Sequence, residues 1–96
     1  MRTKVELHPD VVKYVSGLPD PDHTDFVSSL EWVREDPIRR STAHVERQIR
    51  GHMLRRFEFG KGVARIAIFV YDAAVDRMRI LHCRFTRPRR LRSEEN

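Results

Sequence analysis

At 96 residues and 11.4 kDa, with 40% apolar residues, the chain has room for one domain with a modest core and not for two. A mean hydropathy of −0.59 excludes a membrane protein, and a single cysteine, Cys83, excludes an internal disulfide and a thiolate zinc cluster. The first residues carry no apolar segment typical of a signal peptide, so we expect a cytoplasmic protein.

Charge is distributed unevenly along the chain. The net charge is +5, but residues 1–36 carry four basic and eight acidic groups, whereas residues 37–96 carry fifteen and six. Sixteen of the nineteen basic residues are arginine, a bias that a GC-rich genome would also produce. The basic second half predicts a polyanionic partner, either nucleic acid or an acidic protein segment.

The first half of the chain predicts one strand and two helices. Residues 3–7 alternate as in a short strand. A helix follows from Pro9 and ends at Gly17, because its apolar residues recur at helical spacing. Asp-Pro-Asp at 20–22 opens a second helix, in which Asp22 is interpreted as the N-cap, and Pro37 ends it. The short link between them predicts an antiparallel helical hairpin.

The second half predicts a β-meander after an ambiguous segment. Residues 38–52 fit either a short helical turn or a basic loop. The residues after this segment alternate with a period of two, which indicates antiparallel strands joined by tight turns. The predicted strands are 53–59, 63–71 and 77–85.

The element order is therefore β-α-α-β-β-β, which predicts an α+β fold: a small antiparallel sheet with the helical hairpin packed on one face. We expect a single domain over residues 1–86. Residues 87–96 form a basic and then polar tail, expected to be partly disordered.

The polar residues of the three strands are expected to share one face of the sheet. If the more apolar side of each strand meets the helices, Ile66, Ile68 and Val70 face them and Arg55 lies among apolar neighbours. The opposite face then carries Arg56, Glu58, Arg65, His82 and Arg84. This face is consistent with a solvated surface, a plain binding surface or a catalytic site.

The catalytic interpretation is RNA cleavage without a metal ion. Such a site must take a proton from a 2′-hydroxyl, stabilise charge on the phosphorane and protonate the 5′-oxygen. Glu58 or His82 could act as the base, and His82 could otherwise be the acid. Arg56 and Arg65 could bind the phosphate, because a guanidinium contacts two oxygens at once.

Other candidate sites are weaker. The five histidines lack metal-ligand spacing, so we expect no metal and no cofactor. Trp32 lies beside the apolar stripe of the second helix and is interpreted as a packing residue rather than a base-stacking platform. Cys83 is interpreted as a small core residue.

Several segments resemble the RelE/ParE superfamily, the toxins of type II toxin–antitoxin pairs, over roughly residues 4–90. The resemblance rests on the element order and on four segments. They are VELHPD at 5–10, LRRFEF at 54–59, ARIAIFVY at 64–71 and ILHCRF at 80–85. Arg65 fits the arginine that precedes a hydrophobic-x-hydrophobic pattern in these families, and Arg55 or Arg56 fits a basic residue of the preceding strand.

The resemblance implies a cytoplasmic toxin neutralised by a cognate antitoxin. RelE-type members cleave mRNA, usually on the ribosome and without a metal, whereas ParE-type members bind DNA gyrase. The catalytic residues would be Arg56, Glu58, Arg65 and His82. The RNA-binding residues would be Arg47, Arg50, Arg55, Arg84 and Arg87.

The sequence departs from the nuclease pattern at the position of the general acid. No tyrosine follows residue 71, and Thr86 and Arg87 stand where a histidine or tyrosine could act. Arginine binds phosphate but is a poor proton donor, because it hardly deprotonates. A gyrase inhibitor and an inactive relative therefore remain alternatives to the ribonuclease.

Overall fold

A computed structural model describes residues 3–49 and 52–86 of the chain. Within them, two helices pack on one face of a five-stranded sheet whose strand order is β1-β5-β4-β3-β2. No helix in this part of the chain is long and apolar enough to cross a membrane. The elements are β1 (Lys4–Leu7), α1 (Pro9–Ser16), α2 (Asp20–Val33), β2 (Thr42–Ile49), β3 (His52–Phe59), β4 (Arg65–Asp72) and β5 (Arg77–Phe85).

The predicted α+β fold with a helical hairpin on one face is confirmed, but the sheet is mixed. β1 lies at one edge and runs parallel to β5, with Lys4 opposite Arg77 and Leu7 opposite Ile80. The other neighbours in the sheet are antiparallel. The alternation of a short strand does not specify its partner, so the sequence predicted β1 without its direction.

The interpretation of residues 38–52 as a helical turn or basic loop is wrong, because β2 lies there. Thr42 is opposite Arg56 and Ile49 is opposite His52, with a register shift between Ala43 and Gln48. β2 is an edge strand rich in polar residues, and its irregular register conceals the period of two. Its strand character depends on β3 rather than on local sequence.

The helices begin and end where local chemistry allows. Pro9 occupies the first turn of α1, and Gly17 closes the helix by donating its backbone N–H to Tyr14. α2 begins at Asp20, within the predicted opening segment, with Pro19 at the N-cap position and Asp22 inside the helix. The interpretation of Asp22 as the N-cap is therefore wrong, and its carboxylate serves another purpose, described below.

Two apolar clusters lie on opposite faces of the sheet. The larger cluster joins the helices to the sheet, with Phe26 of α2 in edge-on contact with Phe59 at 5.0 Å between ring centroids. Its sheet residues are Phe57, Phe59, Ala67, Phe69, Met78, Ile80 and Cys83. The smaller cluster lies on the face away from the helices, here called the distal face, and contains Leu54, Ile66, Ile68, Val70 and Leu81.

The side-chain directions were predicted correctly for β3, incorrectly for β4 and in part for β5. In β4, Ala67 and Phe69 meet the helices, whereas Ile66, Ile68 and Val70 lie on the distal face. Every residue from 65 to 70 is buried, so both faces of β4 are covered. The more apolar face of this strand is therefore not necessarily the one that contacts the helices.

A register shift changes the side-chain pattern within β5. Ile68 is opposite His82 while Phe69 is opposite Ile80, which leaves Leu81 as an extra residue. Ile80 therefore faces the helices, contrary to the prediction. Cys83 also faces the helices, and His82 lies on the distal face, both as predicted.

Candidate active site on the distal face

Four of the predicted site residues lie together on the distal face. β3 supplies Arg56 and Glu58, β5 supplies His82 and Arg84, and β4 runs between these two strands. Neighbouring strands are about 4.8 Å apart, so the two pairs are separated by about 10 Å at the backbone. The register places Arg56, Ile68 and His82 in one row, and Glu58, Ile66 and Arg84 in the next.

The four side chains form a rectangle in which residues of similar chemistry are diagonally opposite. Glu58 and His82, the two residues able to transfer a proton, lie on one diagonal, and Arg56 and Arg84 lie on the other. Glu58 and His82 are exposed, whereas the arginines are half-buried. A phosphate between the rows would have a guanidinium on two sides and a proton-transfer group on the other two.

Arg65 is not part of this arrangement, and its predicted position on the same face is wrong. It is opposite Phe59 and Phe85, so its side chain shares the helix face with them, and it is only 7% exposed. Its Nε donates to Oδ2 of Asp22 at 3.2 Å, and its Nη1 donates to the hydroxyl of Tyr14 at 2.6 Å.

Hydrogen bonds favour the charged form of the buried Arg65, which also stacks on a ring. Its guanidinium carbon lies 4.6 Å from the ring centroid of Phe85. Burial alone would lower the pKa of Arg65, but the hydrogen bonds to Tyr14 and Asp22 outweigh it and raise the pKa. The side chain thereby links β4 to both helices.

Asp22 and Asp25 fasten the turn between β3 and β4 to the start of α2. Asp22 Oδ1 accepts from the backbone N–H groups of Lys61 at 2.8 Å and Gly62 at 3.1 Å. Asp25 Oδ2 accepts from the N–H of Gly60 at 2.6 Å. The bonds from Gly62 and Lys61 hold the pKa of Asp22 below its usual value. The sequence pattern did not predict the contact of Asp22 with the turn, because Asp22 and Gly62 are 40 residues apart in the chain.

Arg55, predicted to bind RNA, is engaged by the loop that precedes β2. Its Nε donates to Ser41 Oγ at 2.6 Å, and its Nη2 donates to the carbonyl groups of Ile38 at 2.9 Å and Ser41 at 3.1 Å. The residue lies on the side of β3 that faces the helices, as its parity predicted. Its guanidinium therefore shapes the loop rather than the distal face.

Three predicted RNA-binding residues have no described side chain. Arg47 belongs to β2, but its side chain lies outside the described residues. Arg50 and Arg87 lie outside them entirely. Their proposed contacts with RNA stay predictions.

Trp32 is not the packing residue that the sequence suggested. It is 55% exposed, and the guanidinium carbon of Arg40 lies 4.7 Å from its ring centroid. A groove of about 420 Å³ lies beside it, between α2, the following loop and β3, and Glu58 is among its lining residues. Trp32 follows Leu30 by two positions, which places it on nearly the opposite side of α2, and this offset is the sequence signal that could have indicated exposure.

Among the described residues, no three histidine, cysteine, aspartate or glutamate side chains cluster as metal ligands would. The distal face carries two proton-transfer groups and two guanidinium groups over buried isoleucines. This set is able to bind a phosphodiester and move protons around it.

Comparison with known proteins bears on the fold. No protein-family model matches the sequence, and no curated protein matches it. A chain of the archaeal RelE–RelB complex from Pyrococcus horikoshii OT3 superposes with a TM-score of 0.63 at 18% identity, covering 88% of this chain and 96% of that one. The architecture is thus that of a small α+β domain with two helices on one face of a mixed sheet. More particularly, the chain has the RelE-like fold.

Proposed function

We propose that the chain is the toxin of a type II toxin–antitoxin pair and acts in the cytoplasm as a metal-independent endoribonuclease on mRNA, at the ribosome. The observation that carries this proposal is the diagonal arrangement of Glu58, His82, Arg56 and Arg84 on the distal face. The RelE-like fold supports it, because the similar solved chain comes from a RelE–RelB complex.

The proposed reaction is transfer of the phosphoryl group to the neighbouring 2′-oxygen. The Glu58 carboxylate accepts the proton of the 2′-hydroxyl, whose oxygen attacks phosphorus. Arg56 and Arg84 stabilise the charge on the phosphorane. The His82 imidazolium gives a proton to the departing 5′-oxygen, leaving a 2′,3′-cyclic phosphate and a 5′-hydroxyl end. The attacking and departing oxygens lie on opposite sides of phosphorus, which matches the diagonal positions of base and acid.

Arg65 takes a positioning role in this proposal. Its guanidinium is held between Asp22 and Tyr14 on the helix face, so it supports β4 rather than touching the phosphate. This reassigns the arginine that the family resemblance suggested as a phosphate ligand.

The test is a map of new 5′-hydroxyl RNA ends shortly after induction of the chain without an antitoxin. Ends within translated frames are expected, and Glu58→Gln and His82→Gln should each reduce them by roughly 10²- to 10⁴-fold. The matched controls are Glu6→Gln and His23→Gln, which change exposed side chains away from the two rows. Growth arrest without new ends would instead favour gyrase as the target, and no arrest would favour an inactive relative.

We also propose a cognate antitoxin as the protein partner. The excess of basic groups in residues 37–96 supports an acidic or amphipathic antitoxin segment that covers this half of the chain. Co-expression of the adjacent small open reading frame should restore growth and yield a complex whose affinity falls with rising salt. Restored growth without a complex would contradict this mode of neutralisation.

A further inference from the structure

The sheet has an uncovered edge next to the proposed active site. β2 begins at Thr42, which is opposite Arg56, so the register with β2 stops before Phe57 and Glu58. Among the described residues, no backbone hydrogen bond joins these two residues to the loop after α2. The groove of about 420 Å³ lies at this edge and runs from Glu58 on β3 to Trp32 and Ser29 on α2.

Trp32 presents an aromatic surface to this groove. Arg40 covers part of the indole and is itself held, since its Nη1 donates to the carbonyl oxygen of Trp32 at 2.8 Å and to Glu35 at 3.1 Å. More than half of the Trp32 side chain is nevertheless exposed. A large flat ring that is open to solvent is well suited to stack against a nucleic-acid base.

The surrounding charges favour a phosphate-bearing ligand. Arg39 lines the groove with an exposed side chain, and Arg40 lines it beside Trp32. The buried Val33 and Phe57 also line the groove, so it combines an apolar lining with basic groups, as single-stranded nucleic-acid sites do. Its continuity with Glu58 connects it to the place where the proposed cleavage occurs.

We infer that this groove binds one unpaired nucleotide of the RNA, next to the scissile phosphate, with its base stacked on Trp32 and its phosphate near Arg39. The inference rests on the proposed function, because it makes the groove a substrate subsite of the same enzyme. The strand passes around the uncovered edge of β3, from the distal face to α2. A base in a continuous duplex could not reach Trp32, so the subsite selects single-stranded RNA.

Trp32 is the only tryptophan in the chain, so its fluorescence reports on this groove alone. The probe is a short 2′-O-methyl oligoribonucleotide, which lacks the attacking hydroxyl and is not cleaved. Saturable quenching of Trp32 emission is expected, and a duplex of the same sequence should quench much less. Absence of quenching, or equal quenching by the duplex, would overturn the inference.

Cleavage kinetics provide the second measurement. Trp32→Ala should raise KM roughly 5- to 150-fold, the range expected for loss of one stacked base, whereas Trp32→Phe should retain most of the affinity. Val27→Ala is the matched control, because Val27 is also exposed on α2 but does not line the groove. An unchanged KM for Trp32→Ala, with its thermal unfolding unchanged, would overturn the subsite.

The two proposals fail in different ways. If the chain cleaves RNA and Trp32 emission does not respond, the ribonuclease stands and the subsite falls. If the probe quenches Trp32 but no RNA is cleaved, the groove binds single-stranded RNA and the proposed chemistry falls. If an antitoxin peptide quenches Trp32 and the oligonucleotide does not, the groove is a peptide site and the inference is overturned.

Discussion

Arg65 Nε lies 3.2 Å from Oδ2 of Asp22, and both side chains are almost fully buried although 43 residues separate them in the chain. The other oxygen of the same carboxylate accepts backbone N–H groups of the β3–β4 turn. One carboxylate therefore joins α2, β4 and the turn. Removing either partner leaves a buried charge without its counterion.

Arg65→Met should lower the free energy of unfolding by about 3 kcal/mol, because it leaves the Asp22 charge buried without its counterion. The measurement is equilibrium unfolding in urea. Arg79→Met is the control, since Arg79 pairs with Glu6 on the surface and should cost less than about 1 kcal/mol. An equal loss of unfolding free energy in the two variants would show that the buried pair stabilises the fold no more than the surface pair does.

Gly60→Ala should destabilise the fold strongly, while Gly62→Ala should be tolerated. Gly60 has φ of +113°, and a Cβ there would lie 2.1 Å from the carbonyl oxygen of Val63. A Cβ at Gly62 meets nothing within 4 Å. The measurement is the Tm of each variant in thermal unfolding. A similar drop in Tm for both variants would contradict this prediction.

Acid should destabilise the protein through Asp22 and Asp76. Hydrogen bonds from the Gly62 and Lys61 backbone lower the pKa of Asp22, and those from Thr3 and Tyr71 lower the pKa of Asp76, both from 3.8. The two carboxylates therefore add to the free energy of unfolding. This stabilisation is fully present above the unfolded-state value of 3.8 and is lost as the pH falls through the lower pKa of each carboxyl in the folded state.

Urea unfolding between pH 3 and pH 7 measures this effect. The slope of the free energy of unfolding against pH gives the number of protons that the chain takes up when it unfolds. Asp22→Asn and Asp76→Asn should each lower that number by up to one in acid. Asp20→Asn, at an exposed carboxyl in the first turn of α2, is the control. A pH dependence identical in all variants would contradict the assignment.

Cys83 should react with thiol reagents only after the fold opens. Burial raises the pKa of its thiol to about 12, and the residue is 5% exposed, so little thiolate is present or accessible near pH 8. The rate of disulfide exchange with an aromatic disulfide should be far below that of the unfolded chain and rise with urea. A native rate close to that of the unfolded chain would contradict the burial.

Arg56→Gln should weaken RNA binding and reduce its salt dependence. Loss of one phosphate contact to a single strand lowers the slope of log K against log salt by about 0.7. Titration of the uncleaved oligonucleotide at several salt concentrations measures this slope. Arg77→Gln is the control, because Arg77 pairs with Glu6 at the β1 side of the sheet. An unchanged slope for Arg56→Gln would remove Arg56 from the site.

The sequence predicted the elements whose environment is simple. α1, α2 and β3 each have apolar residues at a regular spacing, and the face on which Arg56, Glu58 and His82 lie followed from strand parity. β4 is buried on both faces, so parity carried no information about the direction of Arg65. A buried arginine is recognised only through its partner, and Asp22 is too far away in the chain for a local pattern to connect them.

The parallel pairing of β1 with β5 sets an order for folding during synthesis. β1 is made first, yet its partner strand begins 73 residues later, at Arg77. While the nascent chain is shorter than this, the first strand has no neighbour and the core lacks Met78 and Ile80. A protein that we propose halts translation would thus gain its active shape only after β5 has been synthesised and has left the ribosome.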